Sequence, residues 1–418
     1  MSPTSKPKLV ELSIDAIPVG SPLQFALRAT NGALLANRGY TIETREHLER
    51  LSQRGIGLAV DIEESSIVHR AYMMRLNKMV AENRDIMDIA HAKMMSEDFE
   101  KFQPATVHGG YPDFLSYQMR ANLLLRTPEP GTFVQRIDEM QRDLRYFSTR
   151  FPDATLAAVV QLASREMKHY SAMHALLVWG VVTLTARFAL KWDEAIIDSL
   201  GKAALTMNIS MTDMQDRMAQ QNWPLTADQM RLVEMHPQLS REMLEILGVR
   251  DPLWLDAVAE HRDQVPGPLA KKSIAQQLGR LIQRADVFGA RLAPRLHRQP
   301  MPITAAMQAS YLDEDKQPDE AGTAIVRTLG VYAPGSYVRL VNGEIGIVVR
   351  RQLVRPGVMG KNPIVLLVLN RQGFPIPNAI ERDTSLPMYS IVGAVNSKDV
   401  ARVTVLLEKV LKASDRRD

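Results

Sequence analysis

The sequence of 418 residues contains no cysteine. A disulfide framework, a thiolate zinc site, an iron–sulfur cluster and a cysteine nucleophile are therefore excluded. Aromatic residues make up only 6% of the chain, whereas hydrophobic residues make up 45%. The chain also lacks a Gly-rich phosphate loop, a nucleophile elbow and an EF-hand pattern. These absences remove several classes of enzyme and leave a globular protein with an ordinary core.

The excess of one charge sign is small. Lys and Arg number 51 and Asp and Glu number 47, so the formal net charge is +4. DNA is therefore not an expected partner, and neither is an anionic membrane surface. Residues 1–15 mix charged with apolar side chains and form no signal-peptide core. The longest apolar helical run, residues 175–186, is too short to span a bilayer, and we expect a cytoplasmic protein.

A chain of this length is expected to fold as two or three domains. Residues 1–64 alternate short apolar runs with turns, including Asn31-Gly32, and predict a small β-rich N-terminal domain. Residues 65–131 predict a connector, with a Met-rich helix over 65–102 followed by loops or short helices around Gly and Pro. That Met-rich helix is a candidate surface for a homodimer, by analogy with related domains.

The central and C-terminal parts of the chain differ in the spacing of their apolar residues. In residues 132–329 apolar side chains recur at helical spacing, which predicts an all-α domain of six to eight helices. Residues 330–418 return to short strands and predict a small β module closed by a helix over 397–412. The expected fold class is thus multi-domain α+β, with a central all-α helical domain flanked by small β-rich N-terminal and C-terminal modules.

The helical domain contains five side chains that are candidates for binding a metal. They lie far apart in sequence, as expected when a helical bundle gathers its ligands from facing helices. The alternative is that each is an ordinary polar residue whose hydrogen bonds are made within the fold. The candidates are His174, His236, Glu260, His261 and Asp286.

The order and local sequence of these residues resemble those of an HD-GYP domain. The segments that carry the resemblance follow one another at 174–179, 204–211, 225–237, 260–262 and 284–288. The glycine-rich β segment at 330–349 is similar to the one that closes many such proteins, and residues 1–64 resemble the small module often found ahead of them. The resemblance implies the HD superfamily of metal-dependent phosphohydrolases, in the branch that hydrolyses cyclic di-GMP in bacteria.

The departures from the family pattern fall on its metal site. The metal-bridging His-Asp dipeptide of active relatives is Met207-Asn208 here, and the lysine that follows it is Met211. The family's His-His-Glu is Glu260-His261-Arg262, and the loop that ends in Gly-Tyr-Pro is shortened to residues 263–267. A thioether is a weak ligand for hard cations, and a neutral amide cannot balance the charge of two bridged cations. The resemblance therefore implies one divalent ion, such as iron or manganese, or none.

Arginines recur through residues 280–298 and offer a candidate phosphate-binding face. Arg280, Arg284 and Arg291 would align on one side of a helix, and Arg295 and Arg298 continue the spacing beyond Pro294, which ends the helix. Such a stripe suits the phosphates of a nucleotide. The alternative is a solvated face with ion pairs.

Three functions follow from the resemblance. The first is a bacterial cyclic di-GMP signalling protein whose degenerate domain binds a nucleotide or a signalling protein without efficient catalysis. The second is an active metal-dependent phosphodiesterase with an altered ligand set, and the third is a scaffold that binds no nucleotide. Packing of Met207 and Met211 into a filled site favours the first or third, because methionine fills irregular gaps.

Overall fold

The computed structural model describes residues 9–61 and 114–396 with short gaps, and five residues between 400 and 414. The chain divides into two compact units, Met1–Gly110 and Tyr111–Asp418. The predicted helices over 65–102 and 397–412 lie outside the described residues, apart from a few positions of the second.

The first unit contains a four-stranded antiparallel sheet in the order β1-β4-β2-β3. Its Asn31-Gly32 turn was predicted correctly: the Asn31 side chain accepts the backbone N–H of Ala33, and Gly32 takes a φ of 91° that favours glycine. One helix, α1, precedes the last strand. The elements are β1 (Leu9–Glu11), β2 (Leu27–Ala29), β3 (Leu34–Ala36), α1 (Arg45–Ser52) and β4 (Leu58–Asp61).

The second unit begins with helices. They are α2 (Phe114–Arg126), α3 (Phe133–Arg150), α4 (Pro152–Ala163), α5 (Tyr170–Thr185), α6 (Glu194–Thr206), α7 (Thr212–Gln220), α8 (Ala227–Ile246), α9 (Pro252–Glu260), α10 (Ile274–Leu292), α11 (Ile303–Tyr311) and α12 (Glu320–Leu329). Ten of them lie within the described part of residues 132–329, so the prediction of six to eight was too low. Three are only nine residues long, and such short helices carry a weak periodic signal.

Helix α5 is the centre of this unit. Every residue from Tyr170 to Thr185 is buried, and a short π-helical turn, Ala186–Leu190, extends it. The combined stretch Tyr170–Leu190 is longer than the apolar run read from the sequence, and it is long and apolar enough to cross a membrane. However, 78% of its most apolar window is buried inside the protein, and a core helix of a soluble protein passes the same test.

The C-terminal module is a five-stranded antiparallel sheet in the order β10-β9-β6-β5-β11, with a separate β7-β8 hairpin. The prediction of short strands and a small C-terminal β-rich module is confirmed. Strand β10 was missed because its charged sequence carries no apolar alternation. The strands are β5 (Tyr337–Leu340), β6 (Ile345–Arg350), β7 (Leu353–Arg355), β8 (Val358–Met359), β9 (Ile364–Leu369), β10 (Glu381–Asp383) and β11 (Ile391–Ala394).

Helix α4 joins this sheet to the helical part. Ala157 of α4 belongs to the same hydrophobic cluster as Tyr337 and Ile347 of the sheet. Gly335, with a φ of 93°, passes so close to α4 that a Cβ there would lie 2.9 Å from the Ala157 carbonyl oxygen. The guanidinium of Arg351 binds the carboxylate of Asp153. In chain order, the predicted fold class of a central helical domain between two small β-rich modules is confirmed.

Candidate metal and anion site

The first pair of candidate ligands is His174 on α5 and Asp286 on α10. His174 Nε2 lies 2.6 Å from Asp286 Oδ1, and His174 is only 2% exposed. Burial alone would raise the pKa of the Asp286 carboxyl, but the hydrogen bond and charge of His174 outweigh it and hold that pKa below its ordinary value. An ionised carboxylate only accepts hydrogen bonds, so His174 donates from Nε2. Its Nδ1 has no partner among the described residues.

A glycine on α10 allows this pair to form. The ring of His174 packs directly against Gly289, one helical turn after Asp286. A Cβ at Gly289 would lie 3.0 Å from His174 Cε1 and 3.1 Å from His174 Nδ1, closer than ordinary contact. Helices α5 and α10 can therefore approach closely enough for the histidine to reach the carboxylate only because position 289 has no side chain.

The ring of His174 also contacts Tyr170, one turn earlier on α5. The two rings are stacked, with centroids 5.6 Å apart and planes inclined by 9°. The guanidinium of Arg295 lies over the Tyr170 ring at 5.2 Å, and Arg295 Nη2 donates to the Tyr170 hydroxyl at 3.0 Å. A cation, an aromatic ring, an imidazole and a carboxylate thus follow one another in contact.

The second pair of candidate ligands is His236 on α8 and His261 at the end of α9. Their Nε2 atoms lie 3.0 Å apart. The Nδ1 atom of His236 lies 2.7 Å from the carbonyl oxygen of Val233, which is free because Pro237 has no N–H to bond it within the helix. The Nδ1 atom of His261 lies 2.7 Å from the carbonyl oxygen of Val258, in the last turn of α9. Both rings are therefore fixed with a proton on Nδ1.

Fixing the protons on Nδ1 leaves the two Nε2 lone pairs facing each other. Burial lowers the pKa of His236, and burial with the nearby His236 lowers the pKa of His261 to about 4, so both rings are neutral at pH 7. Two facing lone pairs repel unless a cation lies between or beside them. Neutral imidazole nitrogens are common ligands of divalent cations, and these two would hold such an ion if it were bound. The donor set of this pair fits a divalent cation.

The charge of Asp286 connects the two pairs. It acts on both His236 and His261, raising their pKa values against the larger effect of burial. Arg262, which follows His261, opposes it with a positive charge. Within the described residues, no three His, Asp or Glu side chains converge closely enough to form a complete metal site. The structure therefore brings four of the five predicted ligands into one region as two pairs.

Glu260, the fifth candidate ligand, has different surroundings. Its pKa is raised by burial and by the charges of Asp256 and Asp263, and Arg241 lowers it. Its Oε2 atom is buried and has no hydrogen-bond partner in the described part of the chain. The neighbouring Glu260 backbone packs on Gly279 of α10, where a Cβ would lie 3.0 Å from the Glu260 carbonyl oxygen. Among the described residues, the charges that act on Glu260 are thus those of Asp256, Asp263 and Arg241.

Met207 and Asn208, which the resemblance aligns with the metal-bridging dipeptide, differ in burial. Met207 follows the last residue of α6, is 1% exposed, and belongs to the main hydrophobic cluster of the second unit. Asn208 and Met211 are half-buried. The thioether of Met207 therefore packs among apolar side chains, and the neutral amide of Asn208 is the only polar group that the dipeptide supplies.

Two of the three predicted phosphate-binding arginines are engaged in ion pairs. Arg280 pairs with Glu314 at 2.9 Å and with Asp319 at 2.8 Å. Arg284, only 4% exposed, pairs with the same Glu314 at 3.0 Å. A phosphate would have to displace these carboxylates. Arg291 is exposed at the end of α10 and is the member of the trio that a ligand could reach directly.

Sequence reasoning gave too little weight to the arginines after Pro294. The Nε atoms of Arg295 and Arg298 are buried and lack hydrogen-bond partners within the described part of the chain. Burial and the nearby charges of Arg295 and Arg291 lower the pKa of Arg298. The Nε–H groups of Arg295, which contacts Tyr170, and of Arg298 are thus candidate donors to an anion. The regular spacing of these arginines was the sequence signal that could have identified them.

Comparison with known proteins gives one informative relative. The chain is 26% identical over 216 residues to the cyclic di-GMP phosphodiesterase PA4108 of Pseudomonas aeruginosa, a match that covers 50% of this chain and 51% of that protein. The chain thus spans about half the length of the curated relative it matches. This match confirms the predicted resemblance to the HD-GYP proteins. Whether the site is degenerate stays a prediction.

Two further comparisons add little. No family model matches the chain. A solved structure, described as Bd1817, a HDG"Y"P protein from Bdellovibrio bacteriovorus, aligns with 76% of this chain and 98% of its own at a TM-score of 0.41 and 12% identity. Similarity at that level does not establish a common fold.

Proposed function

We propose that this protein acts in cyclic di-GMP signalling as a nucleotide-binding regulator with little or no phosphodiesterase activity. The substrate class comes from the similarity to the phosphodiesterase of Pseudomonas aeruginosa. The observation that carries the loss of activity is the burial of Met207 in the hydrophobic core, where active HD-GYP proteins hold a bridging carboxylate dipeptide. Without that carboxylate, a pair of cations has no shared negative ligand.

The residues of the candidate site would have different roles. His236 and His261 would hold one divalent ion, such as iron or manganese, through their facing Nε2 atoms. Asp286 supplies the nearest negative charge, and His174 holds that carboxylate in place. A bound ion would polarise a phosphoryl oxygen and lower the pKa of a bound water. Arg295 and Arg298 would donate to a phosphate from their Nε–H groups, which have no partner among the described residues.

The second candidate function is an active phosphodiesterase with one altered metal centre. The geometry of the His236–His261 pair favours it, because the hydrogen bonds at both Nδ1 atoms orient the rings as in many functional metal sites. In that case a single ion would serve where intact relatives use a pair. The third candidate function is a scaffold that binds no nucleotide.

Three measurements on the full-length protein separate these functions: metal content after anaerobic purification, equilibrium binding of cyclic di-GMP, and its turnover. We expect about one ion per chain, lost in His236→Gln and His261→Gln, together with binding and negligible turnover. Gln238→Ala, an exposed position on the same helix as His236, is the matched control. Turnover at the rate of an intact relative, abolished by His261→Ala, would establish the phosphodiesterase instead. Absence of binding would establish the scaffold.

A gain-of-function variant tests the same proposal from the other direction. Met207→His with Asn208→Asp restores the dipeptide of active relatives. If its loss caused the inactivity, the double variant should bind more metal per chain and gain turnover. Met207→Leu with Asn208→Asp restores the carboxylate without the imidazole and serves as the control. Equal turnover in the wild type and the double variant would show that the dipeptide does not limit activity.

A further inference from the structure

A buried carboxylate from another helix caps the start of α5. Asp216 of α7 is only 2% exposed, and its Oδ1 atom accepts the backbone N–H of Ser171 at 2.7 Å. Ser171 is the second residue of α5, so this N–H is one of those that a helix cannot bond internally. His169, which precedes α5, makes no side-chain cap. Asp216 therefore supplies the hydrogen bond and the negative charge that a helix start favours.

Asp216 is itself held by a third helix. Arg126, the last residue of α2, binds Asp216 Oδ2 through Nη2. The same guanidinium binds Asp213 Oδ1 at 2.8 Å and donates from Nε to Asn122 Oδ1 at 3.0 Å. The Asp216 carboxylate is thus fixed from two sides, by a guanidinium on one oxygen and by the start of α5 on the other. The fixed Asp216 carboxylate therefore restrains the first turn of α5.

The capped turn carries two residues of the candidate site. Tyr170 is the neighbour of Ser171 in the chain, and His174 lies one turn further along α5. Tyr170 stacks on His174 and receives the hydrogen bond of Arg295. The remainder of α5 is buried on all sides and is held by core packing. Further along α5, Trp179 Nε1 donates to Gln141 Oε1 of α3, a contact made by a side chain. At the first turn, by contrast, Asp216 contacts the helix backbone itself.

We propose that Asp216, held by Arg126, is a positioning residue that fixes the first turn of α5 and so sets the placement of Tyr170 and His174 in the site. Among the described residues, no hydrogen bond or ion pair joins Asp216 or Arg126 to His174 or Asp286, so the effect passes through the backbone of Ser171. The importance of this placement for ligand binding rests on the proposed function. The placement itself does not, and it can be measured on the protein alone.

NMR of selectively ¹³C-labelled histidines in the full-length protein gives that direct measurement. The Cε1–H signal of His174 is assigned with His174→Gln, and Tyr170→Leu marks its position without the stacked ring. We expect Asp216→Ala to move the signal most of the way toward its Tyr170→Leu position. Asp216→Asn, which keeps an oxygen for the Ser171 N–H, should move it much less. Asp213→Ala removes the exposed partner of Arg126 and should leave it unchanged.

Cyclic di-GMP affinity is measured on the same variants. We expect a loss of about fivefold or more in Asp216→Ala and less than twofold in Asp213→Ala. If Asp216→Ala lowers the thermal midpoint but leaves the His174 signal in place, Asp216 is only a stabilising residue and the proposal is wrong. If Asp216→Ala does not fold, an unchanged His174 signal in Arg126→Met, which frees the carboxylate, would overturn it equally. Wild-type protein that binds no cyclic di-GMP refutes the proposed function and leaves the NMR comparison valid.

Discussion

Replacing Gly289 by alanine tests the close approach of α5 and α10. Two opposing effects on the free energy of unfolding are expected. Alanine is favoured over glycine inside a helix by about 1 kcal/mol. However, the new methyl group would lie 3.0 Å from His174 Cε1 and 3.3 Å from Leu177 Cδ2, so the ring must retreat by a few tenths of an ångström. Overpacking of this kind costs about 1–3 kcal/mol in a core. The net change is a loss of about 0–2 kcal/mol in the free energy of unfolding.

Gly180→Ala on α5 is the matched control. Gly180 is also a buried helical glycine, but a Cβ there would meet only Val159, at 3.4 Å, which is ordinary contact. It should gain the helical preference without a clash, and so be about 1–3 kcal/mol more stable than Gly289→Ala. Urea unfolding of both variants measures the difference. Equal stabilities would refute the steric argument and the role assigned to position 289.

Three other predictions concern charge and hydrogen bonding. In metal-free protein, the free energy of unfolding should fall as the pH drops from about 6.5 toward 4. The unfolded chain protonates His261 in this range, whereas His261 stays neutral in the folded chain because its pKa is lowered to about 4. His261→Gln should make the free energy of unfolding depend less on pH. Asp251→Ala should lose about 1–2 kcal/mol by thermal unfolding, because Asp251 caps α9 and accepts the Ser199 hydroxyl at 2.6 Å; no loss would show that the cap is unimportant. Arg295→Met should weaken cyclic di-GMP binding in a titration far more than a substitution of the exposed Arg231, and equal effects would argue against the anion site.

Local signals predicted the parts of the fold that short stretches of sequence determine. The Asn31-Gly32 turn and the runs of β-branched residues in β6 and β9 define strands without reference to the rest of the chain. The arginine spacing failed for a different reason. Periodicity places Arg280 and Arg284 on one helix face, but whether that face meets solvent or Glu314 depends on a loop some 30 residues away. A local sequence pattern does not predict tertiary contacts of this kind.

In the candidate site, too, local sequence predicted some features and tertiary packing determined others. His236-Pro237 in the sequence already implies that one helical carbonyl lacks its donor, and this carbonyl proved to be the one that orients the imidazole. The distance from His236 to His261, by contrast, follows from how α8 and α9 pack, and the resemblance alone predicted that they would meet. The capping of α5 by Asp216 was not predicted, because residues 45 positions apart carry no shared local signal.

The contacts between α4 and the C-terminal sheet have a practical consequence for dissecting the protein. A fragment cut after residue 329 would lose Arg351, the partner of the Asp153 carboxylate, and the Gly335 carbonyl that accepts from the Gln161 side chain. It would also expose the face of Ala157 that packs on the strands. The helices that carry the site are therefore best isolated together with the sheet, and a truncation intended to simplify the site would unmask an apolar surface instead.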